Sequence, residues 1–100
     1  MNVVYSKIFE KSARKLSGKY LASLAKAISE VKHAEDLSDI TNCKKLTGFN
    51  NAYRIRVGDY RAFFVVTIVD DTVHFEYLLS RGDAYDKEYM NSLRLKDKEL

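Results

Sequence analysis

The sequence predicts an α+β fold: an N-terminal strand and a helical hairpin packed on a mainly antiparallel sheet of about four strands, with a short C-terminal helix. Three observations predict it. Apolar residues recur at helical spacing in the first third, strand-like segments fill residues 52–80, and helical spacing returns after residue 84. With 100 residues, 46% hydrophobic and 31% charged, and no proline, the composition predicts a single domain over residues 1–100.

The first third of the chain is predicted as a short strand and two helices. Residues 2–5 form the strand, and Ser6 is a suitable N-cap for a first helix that Gly18 ends. A second helix is predicted over residues 20–34. Its apolar stripe consists of Leu21, Leu24, Ile28 and Val31. Residues 36–47 are then predicted as a connection with one helical turn near its start.

Three antiparallel strands are predicted over residues 52–57, 60–69 and 72–80, joined by two-residue turns at 58–59 and 70–71. Counting pairs outward from these turns assigns the side chains to two faces. The apolar face, predicted to pack on the helices, carries Tyr53, Ile55, Val57, Tyr60, Ala62, Phe64, Val66, Ile68, Val73, Phe75, Tyr77 and Leu79. The other face, predicted to be the working face, carries Arg54, Arg56, Arg61, Phe63, Val65, Thr67, His74, Glu76, Leu78 and Ser80.

The C-terminal part is predicted as a helix over residues 84–93, capped by Asp83. Tyr85 and Tyr89 lie at helical spacing within it and either anchor the helix on the sheet or serve the function directly. Residues 97–100 are predicted to be a solvated tail.

Cysteine and histidine usage excludes several classes of site. Cys43 is alone, so no internal disulfide forms, and His33 and His74 have no spacing typical of a zinc site. We therefore expect no metal and no cofactor, and Cys43 is not expected to be a nucleophile. No apolar run is long enough to cross a bilayer and no signal peptide is evident, which predicts a cytoplasmic protein.

The basic residues are concentrated in the middle of a chain whose net charge is +3. Arg54 and Arg56 share one face of their strand, and the turn at 58–59 places Arg56 opposite Arg61. Like charges facing each other repel, so this arrangement predicts an anion that completes the site, and we expect an RNA phosphate. Lys44 and Lys45 are predicted to bind RNA beside them.

Four segments of the chain carry a family resemblance. They are Lys-Lys-Leu-Thr-Gly at 44–48, Tyr-Arg-Ile-Arg at 53–56, Gly-Asp-Tyr-Arg at 58–61 and Ser-Arg-Gly-Asp-Ala-Tyr at 80–85. Together with the preceding helical hairpin, they resemble the RelE/ParE superfamily of bacterial toxin–antitoxin toxins. The likeness spans nearly the whole chain.

The resemblance to the RelE branch implies a ribosome-dependent mRNA endonuclease that drives the ribose 2′-hydroxyl onto the adjacent phosphate. By that resemblance, Arg54 and Arg56 bind the RNA backbone and assist catalysis, and Arg61 stabilises the pentacovalent phosphorane. Arg81 matches a residue proposed to protonate the leaving 5′-oxygen, and Tyr85 matches the tyrosine that holds the substrate base.

The general base is not identified by this resemblance. Arginine stays protonated near neutral pH, so Arg54 is a poor base. The family's frequent histidine before the downstream arginine is Ser80 here. His74 and Glu76 lie further along the predicted arginine face and are expected to be solvated residues, whereas Lys45 could approach from the preceding loop.

Two alternatives remain open from the sequence. One is a ParE-like inhibitor of DNA gyrase, and the other is a catalytically inactive basic domain that binds an acidic partner. In the toxin interpretations, the resemblance implies a cognate antitoxin that forms a hetero-oligomer with the chain through a disordered, acidic segment.

Overall fold

The computed structural model describes residues 1–99 as a five-stranded sheet with helices on both faces. The strands are β1 Asn2–Tyr5, β2 Cys43–Lys45, β3 Ala52–Val57, β4 Tyr60–Thr67 and β5 Thr72–Ser80. The helices are α1 Lys7–Arg14, α2 Gly18–His33 and α3 Lys87–Glu99, and a 3-10 turn spans Leu37–Asp39. The strand order is β1-β5-β4-β3-β2, with β1 parallel to β5 and the other pairs antiparallel. The predicted fold class is confirmed, but the sheet has five strands, not about four.

The additional strand is β2, which the sequence analysis placed inside a connection. It has three residues, pairs with β3 through Cys43 opposite Ile55, and lies at the edge of the sheet. A three-residue segment is too short to show an alternating pattern, so β3 supplies the pairing that defines it.

The helical hairpin of α1 and α2 was predicted correctly, apart from its connection. The Ser6 side chain accepts a hydrogen bond from the Phe9 backbone N–H at 3.0 Å, as a helix N-cap does. Gly18 does not end α1, because α1 ends at Arg14, and Gly18 begins α2 with a φ of 56°. The hairpin covers one face of the sheet, where Phe9, Leu24 and other buried side chains form the first core cluster.

The connection between β4 and β5 is longer than the predicted two-residue turn. Thr67 pairs with Thr72, so the loop has four residues, and β4 ends before Ile68 and Val69. These two side chains are 76% and 95% exposed, which contradicts the prediction that Ile68 packs on the helices. Their β-branched character was interpreted as strand, but no partner strand extends far enough to pair with them.

A β-bulge changes the face of the residues at the end of β5. Phe64 pairs with Phe75 but Phe63 pairs with Tyr77, which leaves Glu76 as the extra residue. Beyond it, Tyr77 and Leu79 lie on the same face as Phe63, opposite to their predicted face. The positions of two further residues follow from the same shift. Leu78 packs in the first core cluster, and Ser80 lies opposite Tyr60.

The second face of the sheet is covered by α3, which forms a second core cluster. Leu93 is fully buried in it. The helix begins at Lys87 with the Asp86 carboxylate accepting the Glu88 N–H at 2.9 Å, so the predicted start at residue 84 and the predicted cap Asp83 are wrong.

The end of the chain is not a solvated tail. Asp97 lies on α3, is only 4% exposed and accepts hydrogen bonds from the backbone N–H groups of Asn50 (2.8 Å) and Asn51 (2.6 Å). The final residue of the predicted tail, Leu100, lies outside the described residues. Helix α3 is therefore fixed at its C-terminal end to the turn that precedes β3.

Candidate functional site

The β3–β4 hairpin has the predicted register. Arg56 pairs with Arg61, Arg54 pairs with Phe63, and Gly58 begins a two-residue turn with a φ of 61°. A positive φ is readily adopted by glycine, which explains why the turn falls at this point in the sequence. The sequence analysis therefore placed Arg54, Arg56 and Arg61 on one face of the sheet correctly.

The turn at residues 58–59 is held by two other parts of the chain. The Tyr20 hydroxyl, from α2, donates to the Asp59 carboxylate at 2.8 Å, and the Arg81 N–H donates to the Asp59 carbonyl at 2.7 Å. The second bond brings Arg81 to the turn between Arg56 and Arg61. We call Arg54, Arg56, Arg61 and Arg81 the arginine cluster. The sequence analysis did not identify Tyr20 and Asp59, because no local pattern links two residues that are 39 positions apart.

Two guanidinium groups of the arginine cluster, those of Arg54 and Arg61, donate to neutral oxygens. Arg61 Nη1 donates to the carbonyls of Gly58 (3.2 Å) and Tyr60 (3.1 Å). Arg54 Nε donates to the Tyr85 hydroxyl at 3.2 Å. These bonds orient the side chains and leave their positive charge without a compensating negative charge.

Ion pairing within residues 1–99 lies away from the arginine cluster. The two salt bridges join Arg14 to Glu10 and Lys96 to Glu76. Neither salt bridge involves an arginine of the cluster, so no carboxylate in the described part of the chain forms an ion pair with it. A bound anion could supply the missing charge through paired N–H donors.

The crowding of positive charge acts on Arg61, which is half-buried. Burial lowers the pKa of its guanidinium from the usual value, because the charged form loses hydration. The positive charges of Arg54, Arg56 and Arg81 lower this pKa further. Arg61 is thus close enough to the other three arginines to be repelled by each of them.

Tyr85 lies beside the cluster and precedes α3 instead of belonging to it. Its ring packs edge-on against Phe63, with centroids 5.9 Å apart and planes at 89°, and the residue is 59% exposed. The hydroxyl accepts from Arg54, as noted above. The phenol is therefore held at its edge and its hydroxyl and is available for contact with a ligand. Tyr89, in contrast, lies within α3, and its ring packs on Tyr77 of β5.

The two lysines reach the same area from β2. Lys44 pairs with Arg54, which places it on the arginine face, and both Lys44 and Lys45 line a cleft of about 340 Å³ that also includes Arg54 and Tyr85. The predicted basic residues are thus contiguous from the β3–β4 turn to β2.

Other candidates for acid–base or nucleophilic chemistry have different surroundings. His74 shares a 2.9 Å hydrogen bond with Thr67 and pairs with Val65, well along the sheet from Arg61, and Glu76 is paired with Lys96. Burial raises the pKa of the Cys43 thiol to about 11, so the thiol stays protonated at neutral pH.

Metal-binding and membrane-spanning features are not found in residues 1–99. No group of three or more His, Cys, Asp or Glu side chains there is arranged to hold a metal ion. No helix in this part of the chain is long and apolar enough to cross a membrane.

The fold and the cluster together define a small basic α+β protein with a surface of arginines that form no salt bridge within residues 1–99. No family model matches the sequence. However, Toxin RelE3 of Methanocaldococcus jannaschii is 33% identical over 87 residues, which cover 86% of this chain and 97% of the relative. The chain belongs to the RelE family, the toxins of RelBE-type toxin–antitoxin systems.

Solved structures agree with this assignment. A chain of the RelB–RelE antitoxin–toxin complex from Methanococcus jannaschii is 32% identical, with a TM-score of 0.70 over 84% of this chain and 96% of that one. The isolated Escherichia coli RelE toxin has a TM-score of 0.65 over 92% of this chain and 94% of that one. At 19% identity, this second similarity shows the fold alone.

Proposed function

We propose that this protein is a ribosome-dependent endonuclease that cuts messenger RNA and thereby inhibits translation. The ribose 2′-oxygen attacks the adjacent phosphorus, the bond to the 5′-oxygen breaks, and the products carry a 2′,3′-cyclic phosphate and a 5′-hydroxyl. The observation that carries the proposal is the arginine cluster, whose side chains form no ion pair within residues 1–99 and of which Arg54 and Arg61 donate to neutral oxygens.

Charge stabilisation is the main contribution we assign to the cluster. In the transition state the non-bridging oxygens of the attacked phosphate gain negative charge, and fixed guanidinium groups stabilise that charge without exchanging protons. Arg61 is the residue we assign to these oxygens, because it is half-buried and held by two backbone carbonyls. Arg54 and Arg56 bind the flanking backbone.

The remaining roles belong to Arg81 and Tyr85. Arg81, fixed through its backbone to Asp59, is the residue we assign to the leaving 5′-oxygen. Tyr85 offers an exposed ring to a substrate base, and aromatic rings stack on single-stranded bases without strong sequence preference.

We assign no residue of this chain as the general base. Ser80, where relatives often carry histidine, hydrogen-bonds to Asp83 at 3.2 Å, and it is a poor proton acceptor. We infer that catalysis here rests chiefly on orientation of the 2′-oxygen for in-line attack and on charge stabilisation. Such a mechanism suits an enzyme whose substrate is held in a fixed path by the ribosome.

We further propose that a cognate antitoxin forms a hetero-oligomer with this protein in the cytoplasm. A relative is found in a RelB–RelE antitoxin–toxin complex, which supports a partner of that class. An acidic antitoxin segment over the arginine cluster would compete with RNA for the same guanidinium groups.

The proposal is tested by expressing the protein from a tightly controlled promoter and mapping transcript ends. We expect new ends within translated regions, dependent on ribosomes, and their loss in Arg61→Ala. Arg14→Ala is the control, since Arg14 lies on α1, is 76% exposed and pairs with Glu10. Intact messages during growth arrest would contradict the proposal. A gyrase supercoiling assay on the purified protein would then test ParE-like inhibition.

A further inference from the structure

The cleft between β2 and α3 extends beyond the residues that were predicted to bind RNA. On one side it is lined by Lys45 and by Phe49, from the segment between β2 and β3. On the other it is lined by Met90 and Arg94, one turn apart on α3. Its volume of about 340 Å³ is within the range of small-molecule sites. Neither α3 residue was identified from the sequence.

The lining of the cleft combines two kinds of surface. Met90 offers apolar contact to a flat ring, and so does the Arg94 guanidinium plane, which covers the buried Phe49 ring. Lys44, Lys45 and Arg94 offer positive charge, and no carboxylate lines the cleft. A base needs the first surface and its phosphate needs the second. A single nucleotide unit satisfies both.

The cleft is continuous with the arginine cluster. Arg54 and Tyr85 belong to both, and the bond from Arg54 to the Tyr85 hydroxyl lies at the junction. If the cluster holds one phosphate of an RNA strand, the neighbouring nucleotide of that strand therefore lies at the cleft.

The two walls of the cleft are tied together by α3. Arg94 Nη1 donates to the Gly48 carbonyl at 3.2 Å, and the guanidinium lies 4.4 Å from the centre of the Phe49 ring. Asp97, one turn further along, accepts from the N–H groups of Asn50 and Asn51. The cleft is thus preformed, and it exists because α3 is docked.

We propose that this cleft binds the nucleotide next to the phosphate held by the arginine cluster. The base lies against Met90 and the Arg94 guanidinium that covers Phe49, and the phosphate lies near the lysines. The inference rests on the proposed function, because it assigns a second subsite to the same RNA. It adds α3 to the substrate-binding surface.

The test is a titration of the purified full-length protein with a 2′-O-methyl RNA trinucleotide, which cannot be cleaved because it lacks a free 2′-hydroxyl. Backbone amide shifts are followed by NMR. We expect shifts in residues 45–49 and 90–94 together with shifts in the β3–β4 hairpin.

The matched variants are Met90→Glu and Leu95→Glu, which make the same charge change on one helix. Met90 lines the cleft, whereas Leu95 is 64% exposed and does not line it. We expect Met90→Glu to weaken trinucleotide binding about tenfold and Leu95→Glu to weaken it less than about twofold. Because Met90 also packs against the second core cluster, thermal unfolding is measured alongside. Arg94→Gln, which keeps the helix surface, should weaken binding about threefold.

The outcomes separate this inference from the proposed function. Shifts confined to the β3–β4 hairpin, with equal effects of the two glutamate variants, overturn the cleft assignment and leave the nuclease proposal standing. No shifts at either place overturn the cleft assignment, while the nuclease proposal is decided separately by the mapped transcript ends. Equal binding of hexaglutamate at the cleft overturns the inference in favour of an acidic peptide, since that probe has charge but no base.

Discussion

The arginine cluster and the C-terminal end of α3 differ in whether their charged side chains have partners. In the cluster, four guanidinium groups lie together, those of Arg54 and Arg61 donate to neutral oxygens, and none has a carboxylate partner within residues 1–99. In α3, Asp97 is buried with two backbone N–H donors, Arg94 caps a carbonyl and stacks on Phe49, and Lys96 pairs with Glu76.

The difference separates charges that hold the fold from charges kept for a ligand. A buried charge stabilises a structure only when its hydrogen-bonding capacity is filled, as it is at Asp97. A group of like charges without partners destabilises the free protein and gains by binding an anion. The contrast predicts that removing charge is harmful in α3 and mildly favourable in the cluster.

The largest expected effect is at Asp97. We expect Asp97→Ala to lower the free energy of unfolding by about 3 kcal/mol, because two partly buried N–H groups lose their acceptor. Asp97→Asn should lose about half as much, since the amide oxygen still accepts one bond. Urea unfolding measures both, with the exposed Lys98→Ala as control. A loss under about 1 kcal/mol for Asp97→Ala would show that the clamp is not structural.

The next effect concerns the turn that carries the cluster. At Gly58, φ is 61° and an added Cβ would lie 3.2 Å from the Tyr20 ring, so Gly58→Ala should destabilise the fold by about 1.5 kcal/mol. Gly82→Ala is the matched control, because a Cβ there meets nothing within 4 Å. It should change the free energy of unfolding by less than about 0.5 kcal/mol. Equal effects of the two changes would contradict the role assigned to the turn.

The two regions also differ in how far the sequence predicts them. The β3–β4 hairpin has local signals: glycine at the turn, alternation on both strands and arginines counted outward from it. The register of Arg56 with Arg61 followed from these and is confirmed. The RelE likeness then supplied roles that charge and spacing alone do not carry.

The α3 region depends on contacts that no local pattern contains. Asp97 looks like part of a charged tail until Asn50 and Asn51, 47 and 46 residues away, are placed beside it. The bulge that turns Tyr77 towards α3 is a long-range adjustment of the same kind. Sequence therefore predicted that a C-terminal helix exists and missed its bounds, its clamp and the cleft it lines.

A smaller effect of opposite sign is expected in the cluster. Arg56 is exposed, faces Arg61 and makes no side-chain hydrogen bond or ion pair with other described residues. Arg56→Gln should raise the free energy of unfolding by about 0.5 kcal/mol at low salt, because one repulsive pair is removed. The gain should fade near about 1 M salt.

The control for that prediction is Arg14→Gln, which removes a paired arginine on α1. It should lower the free energy of unfolding by about 0.3 kcal/mol under the same low-salt conditions. If the two substitutions shift urea midpoints in the same direction, the distinction between paired and unpaired arginines has no energetic basis.

The smallest effect is expected at two exposed carboxylates in the segment from α2 to β2. Hydrogen bonds from Thr41 to Glu30 and from Ser38 to Asp36 lower the pKa of each carboxyl. A carboxyl whose pKa is lower in the folded than in the unfolded state stabilises the fold when the pH is above its unfolded-state pKa. This stabilisation is lost as the pH falls through the folded-state pKa. Glu30→Gln with Asp36→Asn should thus be less stable than the parent at pH 7, and this difference should disappear as the pH falls through the folded-state pKa values. The measurement is the urea midpoint of both proteins at a series of pH values from 7 downward. A difference between the two midpoints that does not change with pH would contradict the prediction.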